Sequence, residues 1–290
     1  MVVAIASGKG GTGKTMLATN LAHVLAKNGR QVQLLDCDVE APNSHLFLKS
    51  HVWHEEPVEI LVPNVDEKKC TLCGKCAKVC EFNAIGVFGS SVLVFNELCH
   101  ACGGCSLACP VNAISEVGHQ TGTLKYGSVN DNLELISGEL NIGEAKAPPV
   151  IAAVKKKRQS GRLAIIDAPP GTSCPVVESV RDADFVVLVT EPTPFGLHDL
   201  KLTVDLMRKL HRQFGVVVNR STIGDNRITE YCNKENVPVL TEIPYRRDIA
   251  EAYSTGELLT KVLPDYEKRF IRLYENVKTL AEQPFETESI

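Results

Sequence analysis

The 290-residue chain carries 31 lysines and arginines against 35 aspartates and glutamates, a formal net charge of −4 at pH 7. That balance speaks against a nucleic-acid surface as its main business, and no stretch approaches the ~18 apolar residues of a membrane span. An apolar fraction of 44%, a charged fraction of 23% and eleven cysteines suit a cytoplasmic globular protein whose thiols serve metal or redox chemistry rather than disulfides.

Taken in chain order, Val2 to Ala6 is a continuous apolar run that predicts a buried parallel strand. It lacks the basic leader of a signal peptide and runs straight into a glycine-rich turn. A helix is expected from about Thr15 to Lys27, ending at Asn28-Gly29, and a second strand over Gln31 to Asp36. His45, His51 and His54 flank the lone Trp53 in a stretch that reads as irregular, with a spacing that fits no helix face. Between about Pro63 and Gly118 the rhythm breaks, and eight of the eleven cysteines lie there. The segment is an internal repeat: Cys70 to Ile85 and Cys99 to Ile114 share four cysteines and an Asn-Ala-Ile ending.

Beyond it the alternation resumes. Leu163–Asp167, Phe185–Thr190, Phe214–Asn219 and Val237–Ile243 read as strands, with helices over about Pro175–Arg181, Leu197–Arg212 and Asp265–Glu282. The run Lys155-Lys156-Lys157-Arg158 reads as a solvated helix end, with a docking patch for an acidic partner as the alternative. The last helix shows one apolar stripe, which suits core packing. The acidic tail after it, Phe285 to Ile290, is unsuited to a stable membrane anchor. The expected fold is α/β: a parallel sheet with helices on both faces, formed by residues 1–62 and 119–290, with a small α+β insert at 63–118.

Ser7-Gly8-Lys9-Gly10-Gly11-Thr12-Gly13-Lys14-Thr15 matches the phosphate-loop pattern between an expected strand and an expected helix. Glycines there let successive backbone N–H groups curl around phosphates at a helix N-terminus. Lys14 would bridge the β- and γ-phosphates of ATP, and Thr15 would hold Mg²⁺. The second lysine, Lys9, makes the loop similar to the deviant Walker A family that includes MinD, ParA, Mrp and the nitrogenase iron protein. The resemblance extends over most of the chain outside the insert. It implies that Lys9 reaches across an ATP-sandwiched dimer to the partner's nucleotide. It implies further that Asp38 orients the attacking water, while Asp36 and Asp167 serve the metal. By the same resemblance Asn219-Arg220 contacts adenine, and Ile243-Pro244-Tyr245-Arg246 forms a second base-side loop, with Pro244 against the base.

Cys70, Cys73, Cys76 and Cys80 follow C-x₂-C-x₂-C-x₃-C, as do Cys99, Cys102, Cys105 and Cys109. In this spacing three thiolates hold one cube and the fourth reaches the other. The expected 4Fe–4S ligand sets are therefore Cys70, Cys73, Cys76 and Cys109, and Cys99, Cys102, Cys105 and Cys80. Zinc favours separated C-x₂-C knuckles instead. The insert resembles a bacterial two-cluster ferredoxin, although Glu81 stands where that pattern usually has proline. Cys174, Cys37 and Cys232 read as packed thiols, with a bridging third cluster at Cys174 as a minor alternative. The expected function is an ATP-gated redox protein. It would act as a nucleotide-dependent homodimer, or as a heterodimer with a related ATPase, and pass electrons to an unidentified partner protein. The alternatives are an iron–sulfur assembly or carrier ATPase and a spatial organiser with structural clusters.

Overall fold

The computed structural model describes residues 1–50 and 53–283. Strand β1 (Val2–Ser7) runs through the glycine-rich turn into α1 (Lys14–Lys27), followed by β2 (Val32–Asp36) and the short α2 (Ser44–Phe47). The long β3 (His54–Val65) leads to the cysteine segment: α3 (Lys75–Val79), the hairpin β4 (Ile85–Phe88) and β5 (Ser91–Val94), a 3₁₀ turn at Asn96–Leu98, and α4 (Gly104–Ala108). The chain returns along β6 (Ile114–Asn130) and turns into β7 (Leu133–Leu140). Next come α5 (Pro148–Lys156), β8 (Leu163–Pro170), α6 (Cys174–Val180), β9 (Phe185–Thr190) and α7 (Pro194–Lys209). Then β10 (Phe214–Asn219), α8 (Arg227–Lys234), β11 (Val239–Ile243), α9 (Arg247–Ser254), α10 (Leu259–Val262) and α11 (Tyr266–Ala281) complete the described chain.

The main sheet has the order β11-β10-β9-β1-β8-β2-β7-β6-β3. From β11 to β7 every pair is parallel; β6 then runs antiparallel to both β7 and β3. The expected helices lie on both faces. Val3 and Ile5 point to the face covered by α1 and α11, while Ala4 and Ala6 point to the face covered by α5, α6 and α7. This is the period-two division of a strand buried on both sides. In α11, Phe270, Leu273, Tyr274 and Val277 are all buried, so its stripe is core, as expected. Residues 285–290 and His51 fall outside the described residues.

Strands β3, β6 and β7 had no counterpart in the sequence reading. His45 lies in α2 and His54 opens β3, while residues 48–50 and Trp53 between them belong to no helix or strand, as expected. A buried parallel strand shows a short, wholly apolar run, whereas β3 keeps much of its length exposed and tolerates Pro57 and Pro63 because it is an edge strand of the sheet. Its pairing with β6 runs from His54↔Tyr126 to Val65↔Ile114, straight through the expected boundaries at 62/63 and 118/119. The cysteine repeats therefore sit at the end of a two-stranded ribbon that is continuous with the main sheet. Among the described residues, no helix is long and apolar enough to cross a membrane.

Candidate functional site

The phosphate loop joins the carboxyl end of a central strand to the N-terminus of α1, where helix dipole and free N–H groups favour an anion. Gly13 adopts φ +97°, and a Cβ there would stand 2.4 Å from Asn219 Nδ2, so only glycine fits. That amide donates to the Thr12 carbonyl at 2.7 Å, while Asn219 Oδ1 accepts the Arg220 N–H at 2.9 Å. Asn219 thus braces the loop and keeps one amide hydrogen for a ligand. Pro244 follows β11, in the loop where Tyr245 N–H bonds the Thr222 hydroxyl.

Behind the loop, charge is buried. Thr15 Oγ1 donates to Asp167 Oδ2 at 2.6 Å, and Asp167 Oδ1 is buried without a hydrogen-bond partner among the described residues. An orphaned carboxylate oxygen beside a threonine hydroxyl fits water-mediated Mg²⁺. Both Asp36 oxygens accept backbone N–H groups, from Asp38 (3.2 Å), Asn43 (3.1 Å) and Ser44 (3.0 Å). Asp36 therefore closes the loop that carries Asp38. Burial raises the Asp36 pKa; burial and the Asp36 charge push Asp167 well up. Asp38 is pushed to about 6, first by burial and then by Asp36. Lys14 is pulled down by its own burial, offset by Asp167, Asp38 and Asp36. One ammonium faces three carboxylates here, an excess of acidic oxygens that fits a divalent cation.

Glu191 was missed. At the end of β9 it is nearly buried and bridges Lys9, to which it is ion-paired, and Arg220 at 3.0 Å. An acid after an apolar strand is too common to single out, and its partners lie far away in sequence. Arg220 takes φ +54°, which turns it back toward this acid.

The eight cysteines line two cavities. One is bordered by Cys70, Cys73, Cys76 and Cys109, the other by Cys99, Cys102, Cys105 and Cys80. Each takes three thiols from one repeat and one from the other. The backbone repeats as well: Leu72 and Ala101, Gly74 and Gly103, and Asn83 and Asn112 all have positive φ. The left-handed asparagines explain the shared Asn-Ala ending. They turn the next N–H onto the fourth sulfur, Ala84 to Cys80 Sγ at 3.3 Å and Ala113 to Cys109 Sγ at 3.2 Å. Among the described residues no three His, Cys, Asp or Glu side chains converge on a point as a single metal ion requires. Four thiols spread round a cavity, with N–H groups aimed at sulfur, suit a polynuclear iron–sulfur group, in which each thiolate takes its own iron.

Of the other cysteines, Cys37 and Cys232 are buried as expected, but Cys174 is exposed at the start of α6 rather than packed. The basic run ends α5, as expected, and Lys156 is exposed, but its other three residues are paired rather than free. Lys155 pairs with Asp182 at 2.5 Å and Lys157 with Glu56 at 2.6 Å, and Arg158 also pairs with Asp182.

Residues 3–259 match the CobQ/CobB/MinD/ParA nucleotide binding domain, known as CbiA. The chain belongs to this family. An uncharacterized protein of Methanocaldococcus jannaschii is 34% identical over 96% of both chains. An iron–sulfur cluster carrier protein of Saccharolobus solfataricus is 24% identical, across 97% of this chain and 83% of that one. Among solved structures, MinD of Pyrococcus horikoshii complexed with Mg-ADP superposes with a TM-score of 0.60 at 21% identity, covering 97% of each chain. That likeness places this CbiA-family chain in the MinD fold, with the cysteine ribbon inside the matched span.

Proposed function

We propose that the protein hydrolyses ATP as a nucleotide-dependent dimer and couples that cycle to electron transfer through two 4Fe–4S clusters. The observation that carries this reading is the continuous β3–β6 ribbon. The thiols are mounted on an extension of the nucleotide-binding sheet and not on a loose tether. In the nucleotide site Lys14 neutralises the β- and γ-phosphates, while Thr15 and Asp167 hold Mg²⁺. Asp36 fixes the segment from which Asp38 orients the attacking water. Lys9, released from Glu191, adds charge to the phosphates of a partner subunit. Asn219, Arg220 and Pro244 border the base. Cys70, Cys73, Cys76 and Cys109 would hold one cluster, and Cys99, Cys102, Cys105 and Cys80 the other. Each cluster, when bound, accepts and returns one electron.

The test is an EPR-monitored redox titration with no nucleotide, with ADP and with a non-hydrolysable ATP analogue. Coupling of about 1–3 kcal/mol, the usual allosteric range, corresponds to a shift of roughly 40–130 mV for one electron. Superimposable titrations would overturn the reading.

A second reading, an iron–sulfur carrier, draws on the name of the S. solfataricus relative. A carrier needs a labile site. Here each cavity is lined by four protein thiols, a number that would ligate a four-iron cluster fully. Rapid cluster transfer to an apo-ferredoxin would favour the carrier.

A further inference from the structure

The two cysteine cavities stand at different distances from the nucleotide. The cavity of Cys99, Cys102, Cys105 and Cys80 is bordered by Leu61, Pro63 and Glu116 of the ribbon; the other touches Val65 and Ile114, at the ribbon's tip. At about 3.3 Å per residue, two to four residues of ribbon make roughly 7–13 Å. The Cys99 cavity is thus the nearer and the other the farther. The nearer cavity is also met from outside the insert, where the Lys146 ammonium donates to the Cys99 carbonyl. Among the described residues, no hydrogen bond or ion pair of residues 66–80 reaches the nucleotide-binding part.

Lys146 belongs to the loop 141–147 between β7 and α5, which is bonded at both ends. Asn141 donates from its backbone to the Thr121 carbonyl (2.9 Å) and from its side chain to the Gln120 carbonyl (3.0 Å), and Glu144 pairs with His119 at 2.7 Å. One residue earlier, Leu140 N–H donates to the Val39 carbonyl at 2.8 Å, and Val39 follows Asp38. The middle of the loop is a turn closed by Glu144 N–H on the Asn141 carbonyl at 3.1 Å, with Ile142 fully exposed and Gly143 at φ +90°. A movement of the Asp38–Val39 segment therefore has a bonded route to an ammonium that lies against the nearer cavity.

We propose that loop 141–147 is the strap through which nucleotide state reaches the thiol sites, and that only the nearer site answers to it. Lys146 is the positioning residue. This rests on the electron-transfer reading above. A cation beside a site that gains an electron favours the reduced form, by an amount that depends on its distance. Among the described residues the farther site has no hydrogen bond or ion pair from the nucleotide-binding part; its neighbouring cation, Lys75, belongs to its own segment, so that site keeps one potential throughout the ATP cycle.

The experiment is the EPR redox titration of the holoprotein, with the two couples assigned by Cys73→Ser and Cys102→Ser, each of which perturbs one cluster. The expected result is that ADP and the ATP analogue differ about tenfold in the reduction equilibrium of the nearer cluster, about 59 mV, while the farther couple does not move. Lys146→Met lowers the nearer potential and abolishes the nucleotide difference, with ATP hydrolysis and iron content unchanged. Asn141→Ala, which loosens the base of the strap but keeps the ammonium, also abolishes the difference. Equal shifts of both couples, a shift of the farther one alone, or a nucleotide difference that survives Lys146→Met would overturn the strap while leaving the proposed function standing. No shift in either couple would overturn both. Hydrogen exchange gives a readout independent of potential: Leu140 and Asn141 amides should change protection between ADP and the analogue. Unchanged exchange there, beside altered exchange at Asp38, would sink the proposal.

Discussion

Around the phosphate loop the chain buries charge, and around the cysteines it exposes apolar side chains. Asp36 and Asp167 are wholly inside and Lys14 nearly so, whereas Leu107 is 89% and Phe88 58% exposed. The first region can afford buried carboxylates because two large apolar clusters, one on each face of the sheet, hold it rigid. The second has a small cluster built on Val62, Ala84 and Cys99, and among the described residues its segment adds only Cys76, Ile85 and Ala113 as further buried apolar residues. A segment with so small a core needs a staple, and thiol-bound metal is the staple its residues fit. One region is held by its own core, while the other would be completed by the proposed clusters.

The sharpest way to break this contrast is to remove the metal. Purified without oxygen, the protein should be brown and hold about eight iron atoms per chain, as two four-iron clusters require. Chelation should then make residues 66–113 protease-sensitive while the nucleotide-binding part keeps its melting transition. Zinc in place of iron, or an insert that stays resistant without metal, would remove the distinction.

The converse substitution acts on the other region. Lys14→Ala should weaken ATP binding on the order of a hundredfold, since charge-assisted contacts of ~1.5–3 kcal/mol are lost, yet iron content should not change. Equilibrium dialysis and iron assay on one preparation check both halves. Lys9→Ala should bind ATP with nearly normal affinity but fail to dimerise, and turn over slowly; sedentary monomers in gel filtration with ATP are the readout. Normal dimerisation and turnover would remove Lys9 from the partner's site.

A smaller effect comes from Asp38. With its pKa at about 6, kcat/KM for ATP should fall about tenfold per pH unit below that value, as the carboxylate that orients water is neutralised. Stability has the opposite sign. Because the folded pKa lies above the unfolded one, the protonated side chain favours the fold below pH ~4 and that contribution is lost as pH rises through about 6. Asp38→Asn should therefore slow hydrolysis yet flatten part of the acid-side rise in melting temperature of the nucleotide-free protein. The smallest expected change is Glu191→Gln, which frees Lys9 from its ion pair. Dimerisation with ATP should strengthen a few-fold, measured by sedimentation; a weakened dimer would make Glu191 part of the interface.

How much was legible follows from range in sequence. The phosphate loop is nine consecutive residues, so its chemistry can be read without any tertiary knowledge. The two C-x₂-C-x₂-C-x₃-C runs are equally local, and their spacing suffices to expect the crossed thiol sets that line the two cavities. The helix α7 begins three residues earlier than expected, because Thr193 caps it by accepting the Gly196 N–H and Pro194 suits its first position. The ribbon strands escaped because a half-exposed antiparallel edge lacks the continuous apolar run of a buried parallel strand.

By itself, then, the chain's sequence determined the α/β architecture, the phosphate loop with its second lysine, and the duplicated cysteine runs, since each depends on neighbours within one element. Tertiary structure alone decided that Glu191 meets Lys9 from 182 residues away and that Lys146 meets Cys99 across 47. It also decided that Asp36 is spent on backbone N–H groups, and that the thiols ride on a strand pair continuous with the nucleotide sheet. Ion pairs and strand edges have no local periodicity: a lysine or a glutamate reads alike in sequence whether it faces water or a distant partner, and only the folded sheet brings the two together.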